Sequence, residues 1–94
     1  MIVRISTEGQ FRVSSAHLDR LNEIDEEIMS AVANENRDEY QRLFNELLDI
    51  VRSNGEPLDA EELVESTIVL PPPDTTFEEA RELFVGDGVV PSEI

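Results

Sequence analysis

Two runs of apolar residues at helical spacing, separated by a short turn-forming stretch, constrain this 94-residue chain more than any other feature. At 100° per residue, Leu18, Leu21, Ile24, Ile28, Met29, Ala31 and Val32 fall on roughly 160° of one helical face. In the second run Tyr40, Leu43, Phe44, Leu47, Leu48, Ile50 and Val51 fall on a similar arc, with Asp38, Arg42, Asn45, Glu46, Asp49 and Arg52 mostly opposite. The spacing predicts helices over about 15–34 and 37–53, turning at Asn34-Glu35-Asn36-Arg37. Ser14 or Ser15 can cap the first start, and Asn36-x-x-Glu39 resembles a capping box at the second. Gly55 suits the left-handed position just past a helix end, and Pro57 forbids continuation. Two long amphipathic faces joined by so few residues pack against each other as an antiparallel hairpin. Its remaining apolar surface must be covered by the flanking segments.

Those segments change period. Ile2, Val3 and Ile5 surround Arg4, while Phe11 and Val13 alternate with Gln10 and Arg12; strands are expected at about 2–6 and 10–13, joined by a tight turn at Glu8-Gly9. After the helices, Asp59-x-x-Glu62 suits one or two helical turns running to Val64 as a connector. Thr67-Ile68-Val69-Leu70 is the candidate third strand, ended by Pro71-Pro72-Pro73, whose missing N–H groups forbid further ladder bonding. Asp74-Thr75-Thr76 then caps a short helix at 77–84, whose apolar stripe is Phe77, Ala80, Leu83 and Phe84. The expected fold is a single α+β domain over 1–94: an N-terminal β-hairpin, the long helical hairpin, a short third strand and a short C-terminal helix. A three-stranded antiparallel sheet on the helical hairpin is the simplest arrangement.

Charge and composition bound the function. There are 22 acidic residues against 7 basic ones, a net charge of −15, and every basic residue is arginine. Such a field repels phosphate backbones and anionic headgroups, which argues against direct binding to nucleic acid or to a membrane surface. Acid-rich, lysine-free compositions also arise in high-salt cytoplasms and GC-rich genomes, so the charge has a second reading unconnected with any partner. Zero cysteines exclude disulfides and thiol chemistry. No charged leader precedes an apolar run, and no apolar run approaches the roughly 18–20 residues of a membrane span; the expected compartment is the cytoplasm.

Motifs for catalysis are lacking: no nucleophile elbow, no HExxH, no calcium loop, and a Gly86-Asp87-Gly88 without the further glycines or lysine of a phosphate loop. His17 and Asp25 lie within or near the apolar arc of the first helix. One account makes His17 a base or metal ligand oriented by Asp25. The other places both at the edge of the core, satisfied by Arg4 or Arg12, and the lack of a second histidine favours it. No cofactor or metal is expected, and the protein is expected not to be an enzyme.

Several motifs together carry a resemblance. Met1-Ile2-Val3-Arg4-Ile5 with Glu8-Gly9-Gln10-Phe11-Arg12-Val13 opens the chain, and Arg52-x-x-Gly55-x-Pro57-Leu58 closes the helical hairpin. Leu63 to Ser66, Leu70-Pro71-Pro72-Pro73-Asp74, Phe77-Glu78-Glu79-Ala80-Arg81 and Gly86-Asp87-Gly88-Val89-Val90-Pro91 follow. These resemble the PspA-associated family, PspAA, over nearly the whole chain, with Thr67 departing from the acidic residue expected after Ser66. The resemblance implies a non-enzymatic accessory module of the envelope-stress (phage-shock) response. Its partner would be PspA, the ESCRT-III-like coiled-coil protein that coats stressed membranes, and through it the module would sit peripherally at the inner membrane.

The alternative function, from charge alone, is an acidic mimic of nucleic acid that occupies a basic protein's groove. Partner contacts are expected at Pro71, Pro72, Pro73, Asp74, Gly86, Asp87, Gly88, Val89, Val90 and Pro91, stiff or permissive backbone flanking the short helix, near the apolar tail residue Ile94. A tail that covers its own domain, or that joins a second copy in a homo-oligomer, fits the same pattern.

Overall fold

The computed structural model describes residues 1–59 and 64–83. Strands β1 (Ile2–Ile5) and β2 (Gly9–Arg12) form the expected antiparallel hairpin. Its turn is centred on Ser6-Thr7, two residues before the expected Glu8-Gly9: the Glu8 N–H donates to the Ile5 carbonyl at 2.9 Å, with Thr7 at φ 76° and Gly9 at φ 117°. A β-carbon on Gly9 would meet nothing within 4 Å, so backbone conformation, not crowding, selects glycine there.

The first helix starts later than its periodicity suggests. Ser15–His17 form a 3-10 turn, its cap supplied by Ser14 Oγ accepting from the Ala16 N–H at 3.2 Å, and α1 runs Leu18–Ala33. The α1–α2 turn is a Schellman motif with glutamate in the left-handed seat: Glu35 has φ 55°, Asn36 N–H donates to Ala31 O, and Glu35 N–H to Val32 O. Asn36 Oδ1 caps α2 (Arg37–Asn54) through the Glu39 N–H at 3.2 Å. The reciprocal half of the capping box is absent, because the Asn36 N–H is already committed to Ala31 and the Glu39 carboxylate turns to Arg42.

The sheet departs from the expected three antiparallel strands. It has four, in the order β3-β2-β1-β4, and is mixed. Strand β3 (Glu56–Pro57) pairs antiparallel with β2, where a helical connector or its approach was expected. Leu58 supplies the N–H that Pro57 lacks, donating to Gln10 O at 2.9 Å. Strand β4 (Ile68–Leu70) lies parallel to β1 on the opposite edge, with Val3, Arg4 and Ile5 matched to Ile68, Val69 and Leu70. Strands β3 and β4 thus lie on opposite edges of the sheet, both running in the β1 direction. The rest of the expected connector, residues 60–63, lies outside the described residues, and Val64 is not helical.

Gly55 also differs from expectation. It is extended, at φ −96° and ψ 153°, because the chain passes directly from α2 into β3 instead of turning through a left-handed residue. What demands glycine is space: a β-carbon would stand 2.5 Å from the Val51 carbonyl oxygen and 2.9 Å from Phe11 Cβ.

One core joins these layers. Val3, Ile5, Val13, Ile68 and Leu70 from the sheet side meet Leu21, Ile24 and Ile28 of α1 and Leu43, Phe44 and Leu47 of α2. The short α3 (Phe77–Leu83) closes one end by burying Phe77 and Ala80. No helix among the described residues is long and apolar enough to cross a membrane.

Candidate docking surface

The proline segment is built into the domain from both sides. At its start, the Ser6 N–H and Oγ both donate to the Leu70 carbonyl, at 3.1 and 2.9 Å, where Pro71 has no N–H to continue the strand. Pro71 is buried, Pro72 and Pro73 are half-buried, and Asp74 is exposed. Thr75 closes a turn by donating from N–H and Oγ1 to the Pro72 carbonyl, at 3.0 and 2.7 Å. Its own carbonyl accepts from the Tyr40 hydroxyl at 3.0 Å inside the core. Burial, aided by the charge of Glu79, pushes that phenol up to about 12. Asp74 therefore stands at the tip of a turn fixed to helix α2.

The next element is held as firmly. Thr76 and Glu79 form a reciprocal capping box: Glu79 N–H to Thr76 Oγ1 at 3.2 Å and Thr76 N–H to Glu79 Oε1 at 3.0 Å. Two exposed ion pairs tie α3 to the α1–α2 turn, Arg37 with Glu78 at 2.5 Å and Arg81 with Glu35 at 2.8 Å. The same two guanidiniums lie 4.6 and 5.7 Å from the Phe77 ring centroid. The ring also meets Tyr40 edge-on at 5.8 Å. Arg37 holds the Glu78 carboxyl below the ordinary glutamate range, chiefly by hydrogen bonding.

Of the residues expected to contact a partner, Pro71, Pro72, Pro73 and Asp74 form this turn. Gly86, Asp87, Gly88, Val89, Val90 and Pro91 lie outside the described residues, as do Phe84 and Ile94. His17 is half-buried at the α1 start and its side chain makes no cap hydrogen bond; Asp25 is buried in mid-helix. Among the described residues no group of three His, Cys, Asp or Glu side chains could hold a metal ion. Arg4 and Arg12, the cations expected to satisfy Asp25, are exposed. Sequence reasoning missed the Tyr40–Thr75 bond and the Arg37–Phe77–Arg81 stack. The Tyr40–Thr75 bond and the Arg37–Phe77 contact join residues more than 30 positions apart, and no local pattern announces them.

What the fold and this surface define is a small α+β domain whose helical hairpin carries a clamped proline turn and a short capping helix. The chain belongs to the PspAA family, described as PspA-associated protein, whose model matches residues 1–92. No match is found among curated proteins or among solved structures.

Proposed function

We propose that this protein is a non-enzymatic accessory module that binds a PspA-like coiled-coil protein by direct protein–protein contact and tunes its assembly on stressed membranes. The observation that carries the reading is the family match over residues 1–92, since the family is described by its association with PspA. Membrane attachment is then indirect, through the partner at the cytoplasmic face. A chain of net charge −15 is a poor ligand for anionic lipid on its own.

The contact segments we propose are Pro71–Asp74 and residues 86–91. A clamped turn loses little conformational freedom on binding, which favours it as a recognition element. The test is size-exclusion co-elution of the full chain with a PspA-like protein from the same genome, repeated after deletion of residues 86–94. A complex lost on deletion, with the melting temperature unchanged, is the expected result. Failure of the full chain to form any complex refutes the function. A melting temperature lowered by several degrees with binding intact refutes the tail as a contact and makes it part of its own domain.

A further inference from the structure

Five of the seven arginines, Arg20, Arg37, Arg42, Arg52 and Arg81, make ion pairs with carboxylates. Among the described residues Arg4 and Arg12 make none. Both stand on the outer face of the sheet, turned away from the core that Val3 and Ile5 enter. Arg4 is matched to Gln10 and Arg12 to Ile2 across the β1–β2 ladder, so the two arginines form a diagonal pair on one face. Diagonal neighbours of this kind stand about 7–8 Å apart, their β-carbons somewhat closer. Arg12 also faces Glu56 across the β2–β3 ladder without closing an ion pair.

Apolar surface accompanies the charge. Val69, matched to Arg4 from the other side, is 53% exposed, and Val64, whose carbonyl is held by Gln10 Nε2 at 2.9 Å, is 39% exposed. These are two of the three exposed large apolar residues among the described ones.

We propose that this outer sheet face, with Arg4 and Arg12 flanked by Val69 and Val64, docks an acidic amphipathic helix of the partner protein. The proposal rests on the reading of the protein as a PspA-binding module and gives that binding a surface. Carboxylates three or four residues apart on a helix stand about 5–6 Å apart at their β-carbons, a spacing two long arginine side chains span from their diagonal seats. Guanidinium forks grip carboxylates through paired N–H bonds, and an apolar residue beside the acidic pair covers Val69. Charge selects the occupant. An anionic bilayer is an extended surface that also faces the carboxylates of a −15 chain around the patch, whereas a single helix needs to meet only the patch itself, and a second copy docked face to face sets Arg4 and Arg12 against their own equivalents.

The experiment measures affinity for the PspA-like protein by calorimetry, using the full chain, Arg4→Glu/Arg12→Glu, Arg4→Lys/Arg12→Lys and Val69→Asp. Charge reversal and Val69→Asp are expected to weaken binding at least about tenfold, the lysine pair less, and wild-type affinity is expected to fall as salt is raised. All three substituted positions are exposed, so far-UV circular dichroism should be unchanged. Arg4→Gln/Arg12→Gln gives the same reading should reversal disturb folding. Wild-type binding that the reversal leaves intact overturns the surface and leaves the module reading standing. A wild type that does not bind at all overturns both. Binding to phosphatidylglycerol vesicles, or a dimer of this chain, that the reversal abolishes overturns the acidic helix as the occupant.

Discussion

Replacing Gly55 by alanine tests whether space or backbone conformation fixes this residue between α2 and β3. Its φ of −96° and ψ of 153° suit any L-amino acid, so conformation alone predicts that alanine stabilises, by about 0.4–1 kcal/mol, through a less disordered unfolded chain. The packing predicts the reverse. An alanine β-carbon falls short of ordinary contact by about 0.9 Å at the Val51 carbonyl oxygen and about 0.5 Å at Phe11 Cβ. Neither atom yields easily: the carbonyl accepts the Gly55 N–H at 2.9 Å in the last turn of α2, and a Cβ moves only with its strand. Overpacking of this kind costs about 1–3 kcal/mol, leaving a net loss of about 1–2 kcal/mol. At roughly 4–8 °C per kcal/mol in a domain of this size, the melting temperature should fall by about 4–16 °C in a far-UV circular dichroism scan. Serine and valine extend the series. Valine, the best of them for extended backbone, becomes the worst if space decides. A melting temperature that rises in Gly55→Ala, or a series in which valine is the most stable, refutes the argument.

Two further outcomes follow from the described contacts. Tyr40 is the sole tyrosine, so absorbance at alkaline pH reads it alone: it should ionise near pH 12. Its raised value means stability that is intact below the ordinary phenol range and lost as pH rises through about 12; Tyr40→Phe should cost about 1–3 kcal/mol in urea unfolding by orphaning the buried Thr75 carbonyl. Glu8, which joins Arg52 and so ties the β-hairpin turn to the end of α2, is held below the ordinary carboxylate range by that hydrogen bond. A depressed carboxyl stabilises above its unfolded value, so the gap between wild type and Glu8→Gln, at most about 1 kcal/mol for so exposed a pair, should be full at neutral pH and close as pH falls below the usual glutamate value of 4.5. A gap that persists in acid would show that packing, not charge, is responsible.

By itself the sequence determined the two long helices, the N-terminal β-hairpin, the Ile68–Leu70 strand and the short last helix, because those signals are local. The stripe from Leu21 to Val32 and the one from Tyr40 to Val51 report which face of each helix meets the core, and Val3 and Ile5 alternating with Arg4 do the same for β1. The break at Pro71 and a cap at Asp74-Thr75-Thr76 are legible for the same reason, needing only a few neighbouring residues; the structure selects Thr76 with Glu79 over Thr75 with Glu78. The candidate surface was half legible: the proline segment stands out in sequence, but its attachment to Tyr40 spans 35 positions. Only the tertiary structure decided that β4 runs parallel to β1 and that Glu56–Pro57 adds a fourth strand. Strand order and direction depend on where a chain re-enters the sheet after two long helices, and no local pattern encodes that. Gly55 follows the same logic in part, since its need for glycine arises from the nearby Val51 carbonyl and also from Phe11, a residue of β2 lying across the sheet–helix junction. So does the lack of ion-pair partners for Arg4 and Arg12 among the described residues: composition counts the carboxylates of a chain, but folding alone decides which of them come within reach of a given guanidinium.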